Sequence, residues 1–224
     1  DTIRSATLNG LPIDVSEYDE STGVPLTGLA ERNVVVVDAD CRYSNTGEGL
    51  HRFVDPADER VYLYSQFETA DARRMYGCFE QPDLKGTFQL TVVAPADWKV
   101  YSNSAQPTPA PIEDGFARWE FTATPPISTY ITALVAGQFH VEPGTITSSK
   151  GELPADFVCR ESMVPYLEHE QMRTTTQRGF EVFEAAFGRV YPFDSYDQLF
   201  LPEYNAGAME NAGCVTFRDE YLFR

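Results

Sequence analysis

Short apolar runs, rich in β-branched and aromatic residues, recur throughout the first 141 residues of the chain. Pro, Gly, Asn and Asp separate them at regular intervals. This spacing is typical of a β-sandwich or a barrel-like layer, because each strand must turn after it has crossed its sheet. The predicted strands cover residues 34–37, 61–64, 87–93, 98–101, 117–121 and 130–136.

The pattern changes after Pro143 and Gly144. The sequence predicts a helix over 162–187, capped by Ser162, with Pro165 in its first turn and Gly188 at its end. Strands are predicted at 198–201 and 214–217. We therefore predict an all-β domain over residues 1–142, its start missing, and an incomplete second domain over residues 143–224. Roughly 80 residues are few for an independent mixed core.

The charge balance argues against two classes of partner. The 224 residues include 34 acidic and 17 basic side chains, for a formal net charge of −17. Nucleic-acid binding needs a basic surface, and anionic membranes attract basic segments. We therefore expect neither a nucleic-acid nor a membrane partner.

The four cysteines follow no zinc-knuckle or disulfide-scaffold spacing. Their pattern predicts buried thiols in a reducing compartment. No stretch is long and apolar enough for a membrane-spanning helix, and the first residues lack the apolar core of a signal peptide. These features favour a cytoplasmic protein.

One pentapeptide, Gly207-Ala208-Met209-Glu210-Asn211 (GAMEN), has a composition suited to ligand binding. The two small residues let another backbone approach closely. A carboxylate three residues after the glycine can then meet a positive group on that ligand. Taken alone, the segment could also be a surface loop that contains a carboxylate by chance.

A second segment, residues 64–93, supplies the context for GAMEN. These two segments and residues 191–198 resemble three motifs of the aminopeptidase N family of zinc aminopeptidases. The motifs occur in the same order in this chain as in the family. Two pairs depart from the family pattern, Tyr76-Gly77 and Glu80-Gln81, and Ser195 replaces a lysine at a position expected on the surface. The matching residues are Gln66-Phe67-Glu68, Ala72-Arg73-Arg74, Cys78-Phe79, Pro82, Lys85, Phe88, Leu90 and Thr91.

The resemblance implies a mainly β fold. An N-terminal β-sandwich or saddle domain would precede the truncated start of a thermolysin-like α+β catalytic domain. It also implies that the parent protein hydrolyses N-terminal residues from peptides, and that its partners are peptide substrates with a free N-terminus.

The resemblance assigns substrate-binding roles to six residues. Glu68 and Glu210 would bind the substrate α-amino group, which has a pKa of about 8 and is mostly cationic at pH 7. Gly207 and Ala208 would bind the substrate main chain, and Gln66 and Ala206 would line the pocket for the first side chain. The resemblance further implies a cis peptide bond between Glu68 and Thr69. Considered alone, Glu68 could instead pair with Arg73 or Arg74.

The zinc-binding half of such a site is not found in the sequence. The family binds zinc through a helical HExxH motif and a later glutamate. The chain has three histidines, His51, His140 and His169, and Arg173 stands where a motif starting at His169 would need its second histidine. We expect His169 to be a solvated helix residue. We expect no catalytic or metal-binding residue in this chain, zinc ligands beyond Arg224, and a fragment that is inactive alone.

Two other interpretations remain. The chain could be a non-catalytic module that binds peptide N-termini, or a structural β-sandwich whose motif matches are accidental. A large separation of Glu68 from Glu210 in the fold would favour the structural interpretation.

Overall fold

The computed structural model of the protein describes residues 2–223. Strands dominate this part of the chain, and the single α-helix within it, α1, spans His169–Phe187. The strands are β1 (Thr2–Leu8), β2 (Leu11–Pro12), β3 (Val35–Asp40), β4 (Gly49–Val54), β5 (Val61–Gln66), β6 (Thr91–Pro95), β7 (Lys99–Ser102), β8 (Ala110–Pro111), β9 (Phe116–Glu120), β10 (Leu134–Gly137), β11 (His140–Glu142), β12 (Thr145–Ser148), β13 (Gly151–Pro154), β14 (Phe157–Cys159), β15 (Asp197–Leu201), β16 (Ala208–Met209) and β17 (Cys214–Arg218).

The N-terminal part consists of three antiparallel sheets, which confirms the prediction of a mainly β fold with an N-terminal β domain. Their strand orders are β2-β1-β3, β4-β5-β10-β7 and β6-β9-β8. The strand predicted at 87–93 begins only at Thr91. The residues before it bond irregularly, with Phe88 accepting from Thr124 and Leu90 from Phe121. A core around Trp119, Phe121 and Val100 fills the space between the second and third sheets.

The second part contains a five-stranded sheet of order β11-β14-β15-β17-β16. β14, β15 and β17 are parallel, and α1 lies between β14 and β15 in the chain, as parallel connections require. β11 ends at residue 142 and pairs with β14, so the five-stranded sheet includes strands from both sides of the boundary predicted there. That boundary stays a prediction.

One core joins the two parts of the molecule. Tyr62, Tyr64 and Tyr101 of the four-stranded sheet pack in the same buried cluster as Leu199 and Met209 of the five-stranded sheet. Apolar surface removed from water contributes about 25 cal/mol per Å², so aromatic side chains shared in this way stabilise the contact strongly. The contact fixes β5 relative to β15 and β17.

The predicted helix start at residue 162 is wrong. A 3₁₀ turn occupies Glu161–Tyr166, and α1 begins only at His169. Leu167 has an extended backbone (φ −81°, ψ 92°), which interrupts any continuous helix. The Ser162 hydroxyl donates to Asp55 instead of capping α1. The predicted end is confirmed, because Gly188 follows Phe187 with a left-handed backbone (φ 60°).

Two predictions of burial need correction. All four cysteines are free thiols, but only Cys159 and Cys214 are buried; Cys41 is exposed and Cys78 is half-buried. Cys41 follows β3, which lies at the surface. Ser195, expected at the surface, is fully buried, and its hydroxyl donates to the carbonyl of Gly213.

Candidate substrate-binding site

Glu68 follows the end of β5. Gln66, the last residue of the strand, and Phe67, which follows it, lie in the interior with 8% and 1% of their surface exposed, and the chain then brings Glu68 to the surface. The Gln66 side-chain oxygen accepts the Glu68 N–H at 3.3 Å. The peptide bond between Glu68 and Thr69 is cis, which confirms that prediction.

Glu210 follows β16, the edge strand of the five-stranded sheet. Met209 pairs with Thr216 of β17 and is buried, as expected of a packing residue, whereas Glu210 is exposed. After Glu210 the chain turns back, and the Asn211 carbonyl accepts the Cys214 N–H at 3.1 Å. This tight return places Glu210 at the tip between β16 and β17.

Gly207 lies against the side chain of Tyr221, which leaves little room for a larger residue. A Cβ added there would lie 2.5 Å from the hydroxyl oxygen of Tyr221, closer than real contacts allow. The Gly207 carbonyl accepts the Arg218 N–H at 3.0 Å, which starts the β16–β17 pairing. The next residue, Ala208, is exposed on the sheet edge, and Ala206 packs partly buried against the core.

The buried Tyr204 hydroxyl interacts electrostatically with both glutamates, although Glu68 and Glu210 follow strands of different sheets. Burial raises the pKa of this hydroxyl, and the nearby carboxylates of Glu210 and Glu68 add to the rise. Both carboxylates therefore lie within electrostatic range of one buried hydroxyl. Tyr64, two residues before Gln66 on β5, meets the Tyr204 ring edge-on at 5.3 Å between centroids.

Glu68 is not the partner of the neighbouring arginines. The Arg74 side chain pairs with Asp71 at 2.8 Å and with Glu48 at 3.4 Å, and the Arg73 backbone N–H donates to Glu80. Between residues 2 and 223, no ion pair joins Glu68 or Glu210 to a cation of the chain. Exposed carboxylates without a cationic partner of this kind are suited to a cationic ligand.

Two protein-family models match the chain. The model of the Peptidase M1 N-terminal domain matches residues 28–131, and that of the Peptidase family M1 domain matches residues 172–224. The chain belongs to the aminopeptidase N (M1) family. GAMEN lies within the second match and Glu68 within the first.

The M1 relatives include proteins from bacteria and mammals. The chain is 50% identical over all 224 residues to aminopeptidase N of Streptomyces lividans, 26% of which it covers. It is 33% identical to human aminopeptidase N over 167 residues, which is 73% of this chain and 17% of the relative. Glutamyl aminopeptidase of Sus scrofa is 26% identical over 219 residues, 86% of this chain and 22% of that relative. The chain thus spans about a quarter or less of these relatives.

The residues present do not fit the zinc ion of an M1 peptidase. In the described part of the chain, no group of three or more His, Cys, Asp or Glu side chains could hold a metal ion. His51 faces Glu203, and His140 faces Glu142. His169 is the first residue of α1, with 32% of its side chain exposed and Glu170 beside it.

Tyr204 and Thr216 belong to the site but are not predicted from the sequence. Their contact joins the segment after β15 to β17, and the two are adjacent only after β15 and β17 have paired. A hydroxyl within each apolar stretch is a weak signal, because buried tyrosines and threonines are common in sheets.

Proposed function

We propose that this chain is the amine-binding portion of a zinc-dependent aminopeptidase that removes N-terminal residues from peptides. The observation that supports this most directly is that Glu68 and Glu210 are exposed carboxylates without an ion-pair partner among residues 2–223, and that the Tyr64–Tyr204 ring contact joins the two segments that carry them. Membership in the M1 family and the names of the relatives point to the same reaction. Zinc would be bound by residues outside this chain.

The chemistry follows from the charge of a peptide N-terminus. The α-ammonium group can donate to both carboxylates at once, and each charge-assisted hydrogen bond contributes about 1.5–3 kcal/mol. An N-acetylated or internal peptide offers only a neutral N–H and leaves both carboxylates uncompensated. The pair would therefore select for free N-termini.

The edge strand β16 would hold the substrate main chain. Ala208 is exposed there, and β17 occupies only one side of β16. An extended peptide can add to such an edge through backbone hydrogen bonds. Gln66 is buried at the end of β5, and Ala206 is partly buried against the core cluster that contains Tyr64. These two residues would line the pocket for the first side chain.

The test uses the full-length gene product and an alanyl chromogenic substrate. We expect E68Q and E210Q each to lower kcat/KM by about 10- to 150-fold, the loss of one charge-assisted bond. E152Q, in the exposed β13 hairpin, should leave kcat/KM unchanged as a matched carboxylate control. Wild-type kcat/KM in both site variants would refute the proposed role.

The 224-residue chain itself allows a second test. We expect it to bind an alanyl peptide in an NMR titration, to bind the N-acetylated peptide at least tenfold more weakly, and to hydrolyse neither. Zinc-dependent hydrolysis by this purified chain would contradict the assignment of the zinc ligands to residues outside it.

We also propose a cytoplasmic location. The four free thiols support it, since exported proteins usually pair their cysteines. No helix within residues 2–223 has the length and apolar character needed to cross a membrane. Fractionation of cells that express the tagged full-length protein would test the location, and recovery outside the cytoplasmic fraction would refute it.

A further inference from the structure

Glu210 is exposed, so its position depends on the residues on either side. Met209 is fixed by its pairing with Thr216 of β17. The Asn211 side-chain amide donates to the Thr216 hydroxyl at 3.1 Å. Both neighbours of Glu210 are thus attached to one threonine.

Thr216 is fully buried, and its hydroxyl has a second partner. The Tyr204 hydroxyl lies 2.7 Å from the Thr216 hydroxyl. A threonine hydroxyl can donate once and accept twice, so it can bond to Asn211 and Tyr204 together. The Thr216 hydroxyl therefore has its hydrogen-bond partners within the protein. Buried polar groups that are fully hydrogen-bonded make the surrounding structure rigid.

Tyr204 is itself fixed at three points. Its hydroxyl bonds to Thr216, its carbonyl accepts from the Arg218 side chain at 3.0 Å, and its ring packs on Tyr64 of β5. β5 ends at Gln66, and Glu68 follows two residues later. The hydroxyl contact and the ring contact therefore form a continuous connection from Glu210 to the strand that positions Glu68.

We infer that Tyr204 and Thr216 are positioning residues that set the separation of the Glu68 and Glu210 carboxylates, and so determine how strongly the protein selects a charged α-amino group. This inference rests on the proposed function. An ammonium group bonds to two carboxylates only when both lie at hydrogen-bond distance, so a small displacement of either one weakens the selection.

The experiment measures selection directly in the full-length protein. Competitive inhibition constants are compared for alanine amide and for propanamide, which lacks only the α-amino group. The variants Y204F and T216V each remove one hydroxyl with little change in volume. We expect both to reduce the ratio of the two constants about tenfold and to raise KM about tenfold, with kcat changed less than threefold.

Two further variants separate positioning from general stability. T216S keeps the hydroxyl and should retain the wild-type ratio. Y191F removes another tyrosine hydroxyl, which donates to the Ser195 carbonyl, and should lower the thermal midpoint without changing the ratio. An unchanged ratio in a folded Y204F or T216V variant overturns the inference, as does a ratio that falls equally in Y191F.

The E210Q variant distinguishes the two proposals. If E210Q lowers the ratio but Y204F and T216V do not, the positioning role is wrong and the amine-binding role stands. If E210Q leaves the ratio at the wild-type value, the proposed function itself fails.

Discussion

Two sheets of this molecule contain similar apolar runs but have opposite surroundings. β15 is buried along its whole length, with Leu199 and Leu201 at 0% exposure. In β3, Val36 is 58% exposed and Val37 42%. β15 has a strand on each side and packed side chains on its faces, whereas β3 is an outer strand of the β2-β1-β3 sheet. An apolar run thus predicts a strand, but burial depends on a second layer.

The same contrast holds for their charged groups. Where the N-terminal part meets the five-stranded sheet, Arg160 bonds to Asp55 at 2.9 Å and to Asp219 at 2.7 Å, and both carboxylates are buried. On the outer sheet, Arg4 pairs with Asp38 and Asp40 in water. Similar ion pairs should therefore have very different energetic consequences in the two regions.

The largest expected effect is that of Arg160→Ala. The substitution leaves two buried carboxylates without their cation, which should cost about 3–5 kcal/mol in the free energy of unfolding. Urea unfolding at pH 7 measures it. The matched control is Arg4→Ala on the outer sheet, where we expect a loss of about 1 kcal/mol or less. Equal losses would abolish the distinction between the regions.

A smaller effect, an increase in the free energy of unfolding, is expected for Asp197→Asn. Burial raises the pKa of Asp197 to about 8. Because this exceeds the unfolded value, the wild type should lose stability as pH rises from about 4 to about 8. Asparagine can still accept the Asp156 N–H but cannot ionise.

We expect D197N to be more stable than the wild type by about 1–3 kcal/mol at pH 8, and by less at pH 5. Urea midpoints at the two pH values measure this. D38N, in the exposed β3, should not show such a pH-dependent gain. A D197N variant that is less stable at pH 8 would show that the carboxylate is ionised and stabilising.

The next effect concerns His51, which is 1% exposed. Burial lowers its pKa, against the opposing effect of Glu203. The Gly47 N–H donates to Nδ1 of His51, so protonation of that nitrogen would break the bond. Because the folded pKa lies below the unfolded one, stability should fall as pH drops below about 6.5.

We expect the wild type to lose about 1 kcal/mol between pH 7 and pH 5 through this group. H51Q should remove that part of the pH dependence, and H140Q, which alters a histidine on β11, should retain it. Parallel curves for H51Q and the wild type would exclude His51 as the source.

The smallest effect is expected at Val36. Val36→Thr on the outer sheet should change the free energy of unfolding by less than about 0.5 kcal/mol, because the side chain is already largely in water. Leu199→Ala in β15 should cost about 2–5 kcal/mol. A large loss for V36T would mean that another surface covers β3 in solution.

The reliable predictions from sequence concerned local features. Turn-forming residues between apolar runs indicated the strands, and Gly188 indicated the end of α1. The family motifs led to the cis bond after Glu68. The start of α1 was wrong because a contact from a distant loop, Ser162 with Asp55, competes with helix capping.

The missed features depend on contacts between distant parts of the chain. The burial of Ser195 and the exposure of Cys41 follow from how the sheets pack on one another. The spacing of residues in one sequence does not show that packing. The contact of Tyr204 with Thr216 depends on the parallel pairing of β15 and β17. The roles of Glu68, Glu210, Gln66, Ala206, Gly207 and Ala208 stay predictions.

The shared core has a consequence for biosynthesis. The Tyr64 hydroxyl donates to the carbonyl of Glu203, 139 residues later in the chain. At a translation rate of about 5–20 residues per second, β5 leaves the ribosome about 7–28 seconds before its partner. During that interval the aromatic face of β5, with Tyr62 and Tyr64, lacks the later strands that cover it, so the unfinished chain exposes apolar surface to water.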